Sequence, residues 1–276
     1  MVKKRIISGA LLVVVALVLI QTGGVVLLAA GTVIGCIAYR ELLTACSAAG
    51  DGKYSRALEY AGYLMIILWH VIIYFKINAR SALVWLAVSL MLFLIIYVLT
   101  FPSFRDTQVM SSFFCLLYGP FLLSFVSLTR GAQMGDVTVW LIFISASVCD
   151  VGAYAVGVLL GKHKMAPVLS PKKTVEGAVG GVVAAAAGGL LYALWVVFRG
   201  SADQSVLYVF PIFCALCSVF SMVGDLAASA IKRDHIIKDY GNLIPGHGGV
   251  MDRFDSVLFT APLTWMLTIY INGGTK

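Results

Sequence analysis

The chain has 276 residues, 61% of them hydrophobic and 12% charged, with a formal net charge of +7 and a mean hydropathy of +0.96. A soluble domain carries about 25% charged residues, so this composition excludes a soluble protein and leaves no stretch for a separate soluble domain. In so apolar a chain the positive charge belongs to loops beside anionic lipid, and nucleic acid is not expected as a partner.

Crossing a hydrocarbon core of about 30 Å takes roughly 20 helical residues. Apolar runs at 6–21, 24–46, 58–75, 82–100, 109–128, 137–160, 178–198, 206–224 and 256–271 predict an all-α, polytopic integral membrane protein with about nine transmembrane helices. Residues 1–136 take about five of these spans, and 137–276 about four, together with the long polar loops. The opening MVKKRIISGALLVVVALVLI has the basic-then-apolar order of a signal peptide but no small-residue cleavage site, so it reads as a retained first helix. Assigning loops alternately to the two sides puts fifteen Lys and Arg on one side and five on the other. The positive-inside rule then predicts a multi-pass protein of the cell membrane, with its amino terminus and the segments 161–177 and 225–255 cytoplasmic.

The six cysteines lie in or beside apolar runs, where a thiol behaves as a small hydrophobe, and no disulfide framework is implied. Cys214 and Cys217 form a CxxC with no second pair or histidine to complete a zinc site. His70, alone in its run, reads as a packing residue.

Asp150 lies inside LIFISASVCDVGAYAVGVLLG. A central carboxylate costs roughly 2.5 to 3.5 kcal/mol on insertion scales, so it marks either function or a polar helix contact, here with Tyr154. The loop GKHKMAPVLSPKKTVEG follows, with Lys162, His163, Lys164, Lys172 and Lys173. Pro171 and Glu176 fit an ordinary helix start, which leaves the paired lysines unexplained. Gly177, Gly180, Gly181, Ala184 to Ala187, Gly188 and Gly189 then form a small-residue surface suited to close helix packing.

The densest polar segment collects Asp225, Asp234, Asp239, Asp252 and Asp255, five of the chain's thirteen acids. Its first part lacks turn residues and should prolong the preceding helix, with positions 225, 229, 232, 233 and 236 on one face. A carboxylate, a hydroxyl and an ammonium at Asp225, Ser229 and Lys232 are what a magnesium-bound triphosphate would use; a charge-paired helix end is the alternative. Pro245-Gly246-His247-Gly248-Gly249 cannot be regular helix, and its glycines allow backbone amides to approach an anion. Asp252 and Asp255, three apart, can face one site at a helix start, where Arg253 can clamp a phosphate. Aspartate also caps helices, and one of the two is expected in each role.

The stretch SAIKRDHIIKDYGNLIPGHGGVMDRFD resembles the signature of the phosphatidate cytidylyltransferases, also called CDP-diacylglycerol synthases. A serine precedes Lys-Arg, Lys-Asp follows after four residues, and Pro-Gly-His-Gly-Gly leads to Asp-Arg-x-Asp. DVGAYAVGVLLGKHK and SPKKTVEG are similar to further family segments, so the resemblance covers about 137–271. Where family members carry a hydroxyl residue after the first aspartate, this chain has Val151.

The resemblance implies that CTP and phosphatidate react to give CDP-diacylglycerol and pyrophosphate, with Mg2+ as cofactor and a second cation left open. It assigns metal ligation to Asp225 and Asp252, and catalysis to these two with Lys232 and Asp255. Asp150, Lys172, Lys173, Ser229, Arg233, Lys238 and Arg253 would hold the substrates, and His247, Gly248 and Gly249 would line the nucleotide pocket. Membrane lipid is the implied surrounding, and a homodimer is an open assembly. Two rival readings use the same groups. A phosphosugar transferase acting on a polyprenyl phosphate needs membrane acids and basic loops too, and a transporter shares the small-residue helices and the intramembrane acid.

Overall fold

The computed structural model describes residues 2–47, 56–76, 80–243 and 248–273. Among these, seven helices are long and apolar enough to cross a membrane. They are α2 (Gly24–Ser47), α3 (Arg56–Tyr74), α4 (Arg80–Thr100), α5 (Asp106–Gly131), α6 (Gly135–Leu160), α7 (Val175–Phe198) and α8 (Val206–Asp234). The first helix, α1 (Val2–Thr22), and the last, α10 (Val257–Ile271), contribute the shorter apolar stretches Val13–Thr22 and Val257–Ile271. Between α8 and α10 lies the single helical turn α9, Met251–Phe254. Seven of the predicted apolar runs fall on these long helices and the other two on α1 and α10; a backbone surrounded by hydrocarbon has to close its hydrogen bonds within the segment.

Two departures from regular helix escaped the periodicity. In α5, residues Leu117–Phe121 form a π-helical turn containing Pro120, and in α6 residues Ile144–Val148 form another. Each adds a residue to one turn and rotates the face that follows; the second stands directly before Cys149 and Asp150. The loop after α6 is a two-stranded antiparallel hairpin, β1 (Lys164–Ala166) and β2 (Ser170–Thr174), pairing Lys164 with Thr174 and Ala166 with Ser170. Pro171, expected at a helix start, lies in β2 instead. The α7 start is capped by Thr174, whose side-chain oxygen accepts from the Gly177 N–H at 3.1 Å.

The chain forms two compact units that are discontinuous in sequence, Met1–Leu128 with Asp234–Arg253, and Thr129–Arg233 with Phe254–Lys276. The sequence division at residue 136 lies close to the first crossing, but the signature segment is shared between the units. The first unit is filled by Tyr39, Leu42, Leu58, Met65, Ile66, Phe93 and Leu116. Trp69, Trp85 and Phe121 form an aromatic cluster with centroids 5.0 to 5.2 Å apart. Both indole N–H groups are satisfied, by Ser124 Oγ at 2.7 Å and the Met65 carbonyl at 2.9 Å. His70 packs here with Nδ1 2.9 Å from the Ile66 carbonyl.

The second unit is organised by close approach of α6 and α7. Gly177, Gly181, Ala185, Gly189 and Ala193 are buried, a four-residue repeat along one face of α7. A Cβ on Gly181 would stand 2.9 Å from both the carbonyl oxygen and the sulfur of Cys149, and one on Gly152 would overlap Ala184. Val137, Leu141, Phe210 and Cys214 complete this core.

Overpacking of this kind costs about 1 to 3 kcal/mol. Gly181→Ala should therefore lower the thermal midpoint of detergent-purified protein. Gly131→Ala, where a Cβ meets nothing within 4 Å, should leave it unchanged.

Candidate active site

The second unit gathers charge around the end of α8. The helix runs unbroken through Asp225, Ser229, Lys232 and Arg233 and stops at Asp234, so Ile236, with φ 56°, leaves the predicted face. Opposite it, β2 presents two lysines in the alternation of a strand, whose successive side chains point to opposite sides. Lys172 is exposed, whereas Lys173 is partly buried and its Nζ pairs with Asp225 Oδ2. The hairpin turn is held from the same helix by Arg233, whose Nε donates to the Leu169 carbonyl at 3.5 Å. Its base is held by Glu176, whose carboxylate accepts from the Lys162 N–H at 3.1 Å and lies 2.6 Å from His163 Nδ1.

Asp255 joins this group because Gly224 has no side chain. A Cβ there would stand 2.7 Å from the Asp255 carbonyl oxygen, so only glycine lets the start of α10 come this close to the turn of α8 that carries Asp225. The Asp255 carboxyl is pushed up to about 7, chiefly by burial and then by the neighbouring Asp225 carboxylate. The Ser256 N–H, which donates to Oδ1 at 2.8 Å, and the Lys232 ammonium oppose the rise, and Asp150 adds to it. Asp150, Asp225 and Asp255 thus act on one another, with Lys173 and Lys232 beside them.

Beside this cluster opens a pocket of about 400 Å³. Asp150, Lys164, Lys172 and Lys173 line it together with Ala153, Tyr154, Val158, Ala178 and Met222. Its lining thus mixes charged and apolar side chains.

Among the described residues no three Asp, Glu, His or Cys side chains converge to encircle a metal ion. The donor set therefore does not make an all-protein cage. It does suit Mg2+, which is commonly held by one or two carboxylates and completed by substrate phosphates and water. The raised Asp255 beside Asp225 is the local excess of negative charge that such an ion would offset.

The first unit holds the rest of the signature. Asp252 Oδ2 accepts from the Tyr240 and Gly249 N–H groups, both at 2.9 Å, bracing the loop on itself. Gly248 has φ 87°, the left-handed backbone that glycine adopts without strain. Lys238 and Arg253 are exposed, and His247 lies outside the described residues. In the second unit Asp225 is grouped with Asp255 and Asp150, and in the first Asp252 is held by the Tyr240 and Gly249 amides. A residue that the sequence did not single out, Glu41 of α2, accepts from the Val250 and Met251 N–H groups at 3.0 and 2.9 Å. Its only signal was an acid near the end of an apolar run.

The profile of the cytidylyltransferase family matches residues 3–271. The chain belongs to the cytidylyltransferase family. It is 32% identical over 273 residues to a phosphatidate cytidylyltransferase of Bacillus subtilis, covering 96% of this chain and 97% of the relative. The enzyme of the same name from Brucella suis is 34% identical over 263 residues, covering 95% and 91%. That of Staphylococcus saprophyticus is 30% identical over 272 residues, covering 98% and 100%. The protein is accordingly a nucleotidyltransferase, and a cluster of lysines and carboxylates suits that chemistry. The substrate already carries the attacking oxygen, and the protein's task is to neutralise and align phosphates.

Strand alternation separates the two lysines experimentally. Lys173→Ala should lower cytidylyl transfer by about 10²-fold or more, the usual cost of losing a preorganised charge partner, while Lys172→Ala should cost less than about 10-fold. Equal losses in a CTP turnover assay would contradict the assignment.

Proposed function

We propose that the protein is a phosphatidate cytidylyltransferase, acting at the cytoplasmic face of the membrane in phospholipid biosynthesis. The observation that carries the reading is the near-full-length likeness to enzymes of that name. The pocket beside Lys173 supports it, since basic and apolar lining residues together suit a lipid that bears a phosphate. The excess of Lys and Arg in the loops assigned to one side supports the orientation.

In this reaction a phosphate oxygen of phosphatidate attacks the α-phosphorus of CTP. A new P–O bond forms there, the bond to the bridging oxygen breaks, and pyrophosphate leaves with the electron pair. The lipid phosphate is ionised near neutral pH, so no general base is required. Lys173 and Lys232 neutralise phosphate oxygens, and Lys164 and Lys172 draw the lipid phosphate to the pocket. Asp225, oriented by Lys173, and Asp255 are the carboxylates proposed to hold Mg2+. When bound, the ion supplies charge neutralisation at the transferring and leaving phosphates. Asp150 sets the electrostatic field on the wall of the same pocket.

Purified protein given CTP, phosphatidate and Mg2+ should form CDP-diacylglycerol and pyrophosphate, and chelation of the metal should stop it. Formation of a sugar-phosphate lipid from a nucleotide sugar, with no CDP-lipid from CTP, would sink the reading. Asp225→Asn should lower turnover by about 10²-fold or more with the thermal midpoint retained.

A cation competes with the proton on Asp255. Because this carboxyl is raised to about 7, it is protonated below that pH and ionised above it. The Mg2+ concentration needed for half-maximal rate should therefore fall as pH rises from about 6 to about 8, and Asp255→Asn should flatten that dependence. A metal requirement independent of pH in the wild type would remove Asp255 from the cation site.

A further inference from the structure

We propose that Glu41 is a positioning residue, the internal anion that the glycine-rich signature loop is built to grip. This rests on reading the chain as a cytidylyltransferase whose signature includes that loop. Glu41 sits near the end of α2, only 9% exposed, and both of its carboxylate oxygens are engaged by backbone amides 209 and 210 residues away. Oε1 accepts from Val250 at 3.0 Å and Oε2 from Met251 at 2.9 Å.

Two glycines make room for it. A Cβ on Gly241 would stand 2.5 Å from Oε1, and one on Gly249 would stand 2.5 Å from Oε2 and 2.6 Å from Oε1. Neither residue has the left-handed backbone that marks Gly248, so their lack of a side chain answers a need for space rather than for conformation. Met251 completes the attachment. It is fully buried, and a Cβ on Gly119 would stand 3.6 Å from its sulfur. A glycine-rich turn with converging amides has the form of an anion site, and in this molecule the anion at Gly241 and Gly249 is the protein's own carboxylate. The loop that bears Asp252 and Arg253 is thereby fastened to a transmembrane helix far away in sequence.

A glutamine cannot replace the carboxylate. It offers one acceptor and one N–H2 group to two N–H donors, so one donor is left facing another. Glu41→Gln should lower kcat/KM for CTP by about 10- to 100-fold, the range seen when a supporting partner of a functional group is removed, while the purified protein stays folded at the assay temperature. Glu41→Asp, which retains two acceptors but is one methylene short, should recover part of that loss.

Two further measurements decide the matter even where a variant folds poorly. In wild-type protein, hydrogen exchange at the Val250 and Met251 amides should be as slow as in the buried turns of α2, and exchange at coil rates would overturn the proposal. In a double-mutant cycle, Gly249→Ala should impair the wild type yet add nothing in a Glu41→Ala background; equal fold-losses in both backgrounds would overturn it too. A wild type that exchanges slowly at both amides but makes no CDP-lipid would keep the anchor and discard the cytidylyltransferase reading.

Discussion

A carboxylate drawn away from water in a membrane protein has to find its partners within the protein. Three acids meet this requirement in three ways. Asp225 takes an ammonium group from Lys173, Asp252 takes two backbone amides of its own loop, and Glu41 takes two amides from the far end of the chain. Asp255 differs: its partners are outweighed by burial and by Asp225, so its carboxyl is raised to about 7.

Glycine is the means by which these partners meet. An ordinary helix pair keeps its axes 8 to 10 Å apart, too far for short side chains such as aspartate to reach across. At Gly224, Gly177 and Gly181 the neighbouring backbone fills the place of a Cβ. The carboxylate of Asp255 is thus brought to Asp225, and the hairpin that follows α6 is brought to α8. The cost in helix propensity, about 1 kcal/mol for each glycine, is offset where close packing adds dispersion contacts that lipid would not supply.

The hairpin adds a second kind of precision. A flexible basic loop would offer Lys172 and Lys173 equally, whereas strand β2 leaves Lys172 exposed and gives Lys173 to Asp225. Arg233 and Glu176 pin its two ends, so the selected lysine is held on a supported element. Such support lowers the reorganisation needed when a phosphate arrives.

Helix positions, the membrane class and the residues of the signature were legible in the chain because each depends on local order: runs of about 20 apolar residues, glycines four apart, and a motif contiguous in sequence. The π-helical turn before Asp150 was not, since a single inserted residue leaves hydropathy unchanged. Nor was the hairpin, whose β2 carries Pro171 and two lysines in place of an alternating apolar pattern. Asp252 and Asp255 are three residues apart, and the sequence alone expected one in a capping role and one at the site. Only the tertiary structure gave one to a pair of backbone amides and the other to Asp225, because that choice turns on the space left at Gly224 and on amides supplied by Tyr240 and Gly249. Glu41 shows the same limit most plainly: its partners lie more than 200 residues away, and no local pattern encodes a contact that folding alone creates.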